Sequence, residues 1–447
     1  MSHVLVPLPR RAAALVPVLP LMAVVALTAL PPAGDGAGPA DVVSALVVGY
    51  CVIRLLRERR RPLSPVAVVL LGLPVVGVAL AAMGAASPET ALGGLSRYLQ
   101  IFVLVPAAAL VLLRRTSDFL AVAWSFVGLA LWQGAVGVHQ YVTGTGASYQ
   151  GETVRAVGTF GAQDVMGMAS AVSLGVVCAV GIALGRAPVR QRAAAAGCAL
   201  LLVLPLALSF SRGAWIATAL TCAVQLALAG MRRALRVGAA VVAAGVVLVG
   251  GFGVGTAMLQ ERIDSITQVA DTPDQSVIDR YTLWAAATGM WREHPLTGVG
   301  LKGFPEYRDG HATLALSSGS DIEGAGETFH KQALLSPHSM YLLVLSEQGL
   351  IGLLALAGGW LALLVCALRR VLRVRRRGPG LDCGLVACGL LLWLLVDFVY
   401  GDIGGPSTVL TGVALGLTAW WALSADDRAG AVRRDEVAER VEEAATR

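Results

Sequence analysis

Residues 194–230 read AAAGCALLLVLPLALSFSRGAWIATALTCAVQLALAG, and the reading of this stretch decides the fold. Two apolar runs, 194–210 and 213–230, are joined only through Ser211, Arg212 and Gly213. At 1.5 Å rise per residue, each run has about the length an α-helix needs to cross roughly 30 Å of hydrocarbon. Inside hydrocarbon the backbone N–H and C=O groups must pair within their own segment, so each run is predicted to be a transmembrane helix. Arg212 then lies in a turn pinched between two spans with little water-exposed chain around it. A permanent charge there needs a reason.

The same pattern recurs outward in both directions. Apolar segments fall at 13–31, 40–55, 64–84, 97–113, 119–138, 164–185, 194–210, 213–230, 237–258, 350–368, 382–399 and 407–424, which predicts an all-α polytopic membrane protein of about twelve spans. Of 447 residues, 56% are hydrophobic and 14% charged, with a mean hydropathy of +0.70. A soluble chain carries about a quarter charged residues. The net charge of +6 would suit a nucleic-acid binder if it lay on one face, but the arginines form short clusters at span ends, so no nucleic-acid partner is expected. Those clusters, at Arg10/Arg11, Arg57 to Arg61, Arg114/Arg115, Arg186 to Arg192, Arg232 to Arg236 and Arg369 to Arg377, all fall on even crossings. The positive-inside rule then puts both termini in the cytoplasm. No small-residue cleavage site follows the first span, which is read as a retained helix. All seven cysteines fall inside predicted spans, so no disulfide or zinc pair is expected in the outer loops. Two lysines and no asparagine suggest a bacterial genome of high G+C content.

Four regions follow: spans one to nine over 1–258, an extracytoplasmic loop over 259–337, a re-entrant or interfacial helix with the last three spans over 338–425, and a charged cytoplasmic tail over 426–447. The outer connections are 141–163, the turn at Ser211-Arg212-Gly213, and the long loop from Gln260 to Pro337. Within that loop, Asp279 to Glu293 reads as an amphipathic helix with Trp284 and Trp291 on one face, placed at the membrane interface or packed on the core. Five of six histidines, His139, His294, His311, His330 and His338, lie at or beyond the outer ends of spans. None has the close spacing of a metal pair, so no metal is assigned. The run Gly298-Val299-Gly300-Leu301-Lys302-Gly303 formally matches a dinucleotide-binding pattern. It lacks the strand and βαβ context, and its glycines are read as a tight turn after Pro295.

His338 follows Pro337, a residue suited to a first helical position, which places the imidazole at a helix mouth. Glu347, near membrane depth, is a functional group or a structural partner for an arginine. Arg155, Arg212 and Arg280 are outer arginines, against the inside bias. Guanidinium groups are always charged and bind phosphate oxygens bidentately, so several of them converging beside a membrane point to a phosphate-bearing lipid as substrate.

In order, these residues resemble the O-antigen ligase and polymerase superfamily of bacterial surface-polysaccharide enzymes. The resemblance rests on Arg155-x-x-Gly158-Thr159-Phe160, Ser211-Arg212-Gly213-Ala214, Arg280-x-x-x-Trp284, His294-Pro295-x-x-Gly298-x-Gly300-x-x-x-Phe304, Pro337-His338-Ser339-x-Tyr341 and Glu347-x-Gly349-x-x-Gly352. It implies a C-type membrane glycosyltransferase, inverting, without metal or other cofactor, that takes a polyprenyl-diphosphate-linked glycan as donor and a hydroxyl on a glycan, lipid or protein as acceptor. Arg212 and Arg280, joined by Arg155, would hold the diphosphate, and His338 would act on the acceptor hydroxyl. Ser211, Trp284, Tyr341 and Glu347 would support them. The chain departs from the family pattern at Gln163-Asp164 and at Ser339, replacements that keep hydrogen-bonding capacity. The alternative reading is a polytopic transporter or flippase for an envelope precursor.

Overall fold

The computed structural model describes residues 16–30, 38–58, 63–149, 155–230, 235, 275–316, 320–323, 330–332, 334–377 and 380–423. Among these, nine helices are long and apolar enough to cross a membrane. In chain order the helices are α1 Leu19–Leu27, α2 Pro39–Glu58, α3 Pro65–Met83, α4 Pro88–Leu112, α5 Thr116–Thr143, α6 Gly167–Leu184, α7 Val189–Leu208, α8 Arg212–Ala229, α9 Gln275–Glu293, α10 Phe304–His311, α11 Met340–Arg377, α12 Leu381–Asp397 and α13 Pro406–Leu423. Of the expected spans, the first is described only over α1, the ninth (237–258) lies outside the described residues, and the eleventh is the shorter α12. The others correspond to the nine candidate spans.

Burial sorts the helices. Among the candidate spans α6 and α13 are the inner ones, the shorter α12 is buried over most of its length as well, and α6 packs against α5, α7, α8 and α12. α7 turns Ala195, Leu202 and Leu206 inward while Leu200, Leu201, Val203 and Leu204 stand exposed. A helix apolar on every side, with half of its leucines uncovered, is built for lipid rather than water. Polar side chains inside the bundle act as helix cross-links: Gln225 of α8 donates to Val177 O and Leu385 O, each at 3.0 Å, and Trp393 Nε1 donates to Thr218 Oγ1 at 3.1 Å.

Outside the bundle, three short strands form an antiparallel sheet in the order β1 Ser148–Tyr149, β2 Ser320–Glu323, β3 His330–Gln332. They tie the connection after α5 to the long loop. α9 begins four residues earlier than expected and buries Asp279, Thr282, Leu283, Ala286, Ala287 and Met290, a stripe at helical spacing that packs on α11 and α10. Trp284 and Trp291, both half-buried, flank that stripe.

The break in α11 joins two motifs that look unrelated in the chain. Gly349 has φ +65°, which interrupts the helix. The N–H groups of Leu350 and Ile351 then donate to Pro295 O and Leu296 O, while Ser346 O and Glu347 O accept from Val299 N and Gly300 N. The 295–300 loop therefore fills the hydrogen bonds that the kink frees, as the requirement to satisfy buried backbone demands. Gly298 (φ +69°) and Gly300 (φ +102°) allow this approach. A Cβ on Gly298 would lie 2.4 Å from Glu347 C, and one on Gly300 would lie 2.1 Å from Gly84 O. One expectation is corrected here. Helix α11 starts at Met340, so Pro337 does not occupy its first turn. His338 instead takes a left-handed conformation at φ +48°, because Met340 N is drawn away to Phe398 O and Gly401 O at 3.0 and 2.9 Å.

Candidate functional site

Four chain segments meet at the end of the bundle that carries α9 and the sheet. The first is the turn into α8. Ser211 caps that helix by accepting from Ala214 N at 3.2 Å, which puts Arg212 in the first helical turn, where N–H groups point outward. The second is the segment 155–164. Ala156 N donates to Leu208 O at 3.1 Å, so Arg155 lies beside the end of α7, just before Arg212. Gln140 of α5 holds the next residues with three bonds: Val157 N and Gly158 N donate to its Oε1 at 3.1 and 2.8 Å, and its Nε2 donates to Gly158 O at 2.8 Å. Gln133 does the same for Thr159.

The third segment is the 398–405 connection between α12 and α13, which carries none of the sequence motifs. Tyr400 is its pivot. Its hydroxyl donates to Gly213 O at 2.7 Å, and its ring lies where a Cβ on Gly213 would stand, 2.2 Å from the nearest ring carbon. Burial and the Asp397 carboxylate push the Tyr400 phenol up to about 12, against the pull of the Arg280 guanidinium. Arg280 is thus within electrostatic reach of the residue that touches the α8 terminus. The fourth segment is 337–341. Trp284 Nε1, one helical turn beyond Arg280, donates to Pro337 O at 2.9 Å, and Tyr341 donates to Leu395 O at 2.8 Å. Burial lowers the His338 imidazole below its ordinary 6.5; Asp402 pulls it back up, Arg280 adds to the lowering, and Asp279 opposes it.

Arg212, Arg280 and His338 are therefore joined through Tyr400 and the 398–402 backbone, with Arg155 alongside by way of Leu208. All four side chains are half-buried, and each arginine makes interactions with its surroundings. Glu347 stands apart from this group. It is buried, and its Oε1 accepts from Phe304 N at 3.3 Å, with Lys302 as its nearby cation. The nearby cation is a lysine, where the sequence pointed to an arginine. Asp402 bridges the two places, since it acts on both His338 and Glu347. The Oδ2 of Asp402 is buried and accepts no hydrogen bond from the described residues. At the departures from the motif pattern, Asp164 accepts from Ser407 N at 3.0 Å and Ser339 Oγ donates weakly to Phe398 O at 3.5 Å.

Among the described side chains, those of His139, His294 and His311 do not join this group. His139 and His294 are exposed, and His311 faces Glu293 at 3.2 Å. Among the described residues, no three His, Cys, Asp or Glu side chains are grouped to hold a metal. Asp402 and Tyr400 could have been suspected only from their setting: Tyr400-Gly401-Asp402 follows directly on a predicted span, at the same end as His338.

An arginine at a helix mouth, a second arginine and an imidazole thus lie at one end of a bundle of apolar helices long enough to cross a membrane. Residues 196–357, from α7 into α11, match the O-antigen ligase family model. The match contains Arg212, Arg280, Trp284, His338, Tyr341 and Glu347; Arg155, Tyr400 and Asp402 lie outside it. None of the curated proteins compared with the chain matches it.

Proposed function

We propose that this protein transfers a glycan from a polyprenyl-diphosphate-linked donor to an acceptor hydroxyl at the outer face of the cytoplasmic membrane, as a ligase or polymerase of an envelope or extracellular polysaccharide. The observation that carries this reading is the convergence of Arg212, Arg280 and His338 around Tyr400. In the reaction the acceptor oxygen attacks C1 of the donor sugar while the bond from C1 to the diphosphate oxygen breaks. The hydroxyl proton passes to His338, whose imidazole is held neutral by burial and so is ready to accept it. The charge that grows on the departing diphosphate is met by Arg212, Arg280 and Arg155. They are fixed before the reaction begins, so little reorganisation is needed, and the fixed cations take the place of a metal ion. Attack opposite the leaving group inverts the anomeric centre. Ser211, Trp284, Tyr341 and Glu347 hold the segments that carry these groups.

In this reading the bundle has about twelve spans in a C-type arrangement, with the divisions 1–258, 259–337, 338–425 and 426–447 and both termini in the cytoplasm. The arginine-bearing ends of α7 and α11 lie opposite the site, in keeping with that orientation. The test is reconstitution with undecaprenyl-diphosphate-linked glycan extracted from the producing strain. His338→Ala and Arg212→Ala each abolish transfer while thermal unfolding stays unchanged; full transfer by either variant rejects the assignment. Uptake of the lipid-linked glycan into vesicles, indifferent to both substitutions, would establish the transporter alternative instead.

A further inference from the structure

The segment that presents Asp402 to His338 is Gly401-Asp402-Ile403-Gly404-Gly405. Three glycines in five residues give it many conformations to lose on ordering, yet Asp402 must keep one place to act on the imidazole. The chain fixes it from both ends. At the near end, Gly401 O accepts from Met340 N at 2.9 Å. At the far end, Gly405 O accepts from Arg97 Nη2 at 3.1 Å and from Thr408 Oγ1 at 2.6 Å, while Ser407 N is held by Asp164.

Arg97 itself is held tightly. Its Nη1 donates to Asp41 Oδ1 of α2 and to Gln100 Oε1 at 3.4 Å. Gln100 in turn donates to Ser44 Oγ at 2.7 Å, and Gly38 N donates to Asp41 Oδ2 at 3.1 Å. The Arg97 and Asp41 side chains are 22% and 10% exposed. Directly after Arg97 the helix widens into a π-helical turn, Gln100–Leu104, a distortion found most often at functional sites. A buried ion pair adds little net stability over apolar packing, so a pair that also reaches a glycine-rich segment is better explained by geometry than by stability.

We propose that Arg97, outside the family match, is a positioning residue that, through Gly405, fixes the glycine-rich segment and so sets Asp402 beside His338. This rests on the reading of His338 as the base. The groups facing His338 are Asp402 from this segment and Arg280 and Asp279 from α9. Those facing Asp402 are Tyr98 of α4, Asp164, Glu347 of α11 and Asp397 of α12. Loss of a nearby cation by itself would raise the titration point of His338; loss of Asp402 from its place lowers it. The sign separates the two effects.

The experiment uses the full chain in lipid nanodiscs with ring-¹³C histidine, the His338 resonance being identified by its absence in His338→Gln. Arg97→Ala lowers the His338 titration by about half a pH unit, the size expected for weakening one nearby carboxylate. Asp402→Asn lowers it in the same direction, and the double variant shows no further shift. With undecaprenyl-diphosphate-linked glycan from the producing strain, Arg97→Ala lowers kcat about tenfold and leaves the donor KM within about twofold. Arg97→Lys keeps the ion pair with Asp41 but cannot also reach Gly405, so it shows the same shift and carries the test should the alanine variant not fold. An unchanged or raised His338 titration in a folded variant overturns the proposal. So does a rise in donor KM at constant kcat, which would make Arg97 a donor-binding group. If the titration moves as stated while even the unsubstituted protein transfers no glycan, the positioning stands and the glycosyl-transfer reading fails.

Discussion

Replacing Gly213 by alanine adds one methyl group at the point where α8 meets Tyr400. The new Cβ would stand 2.2, 2.5 and 3.1 Å from three carbons of the Tyr400 ring, where carbon atoms rest at about 3.5 to 4.0 Å. The ring must therefore retreat by more than an ångström, and the 2.7 Å bond from its hydroxyl to Gly213 O is lost with it. Overpacking of this kind costs about 1–3 kcal/mol and the hydrogen bond about 1 kcal/mol. The larger consequence is for the site. Tyr400 lies between the Arg212 turn and the segment bonded to Met340, so its displacement separates Arg212 from His338 by a similar distance. Misplacement by about 1 Å lowers a positioned reaction roughly a hundredfold. The assay is transfer from undecaprenyl-diphosphate-linked glycan by Gly213→Ala, Tyr400→Ala and the double variant. Tyr400→Ala vacates the space, so the double variant should be no worse than Tyr400→Ala alone, a strong departure from additivity. Transfer by Gly213→Ala within about twofold of the unsubstituted protein, or simple additivity in the double variant, would refute the coupling of Arg212 to His338 through Tyr400.

Three further outcomes follow from the same geometry. Because burial holds His338 below 6.5, the acidic limb of the rate against pH lies below 6.5, and Asp402→Asn moves it lower still; a limb above 6.5 would contradict the neutral base. The neutral imidazole is favoured more in the folded than in the unfolded chain, so thermal stability also declines as pH falls through 6.5. Gln140→Leu strands Val157 N, Gly158 N and Gly158 O and should cost about 3 kcal/mol in reversible unfolding in mixed micelles; a loss under about 1 kcal/mol would mean that water replaces the side chain. Gly298→Ala forces a side chain onto a left-handed residue 2.4 Å from the α11 backbone, so amide exchange at 298–301 should rise markedly. Unchanged protection there would show that the loop does not depend on the α11 break.

The extent to which the chain could be read in advance follows from solvent physics. Hydrocarbon obliges each spanning segment to satisfy its own backbone, so helix, length and lipid-facing character are written locally, as in residues 194–230. That is why most spans are legible in the sequence, and why Arg212 stands out in a turn with no slack. Residue order also exposed Arg155, Arg280 and His338 as members of an ordered set of motifs. The structure supplied what depends on partners distant in sequence. Leu350 and Ile351 find their acceptors in Pro295 and Leu296 only because Gly349 breaks α11, which makes two motifs into one element. His338 is left-handed because Met340 N bonds across to Phe398 and Gly401, a contact that no local rule contains. Tyr400 and Arg97 gain meaning only through their hydrogen bonds to Gly213 and Gly405, and Asp402 only through the effect of its charge on His338. Packing and electrostatics act across space, and the sequence alone does not state which surfaces will meet.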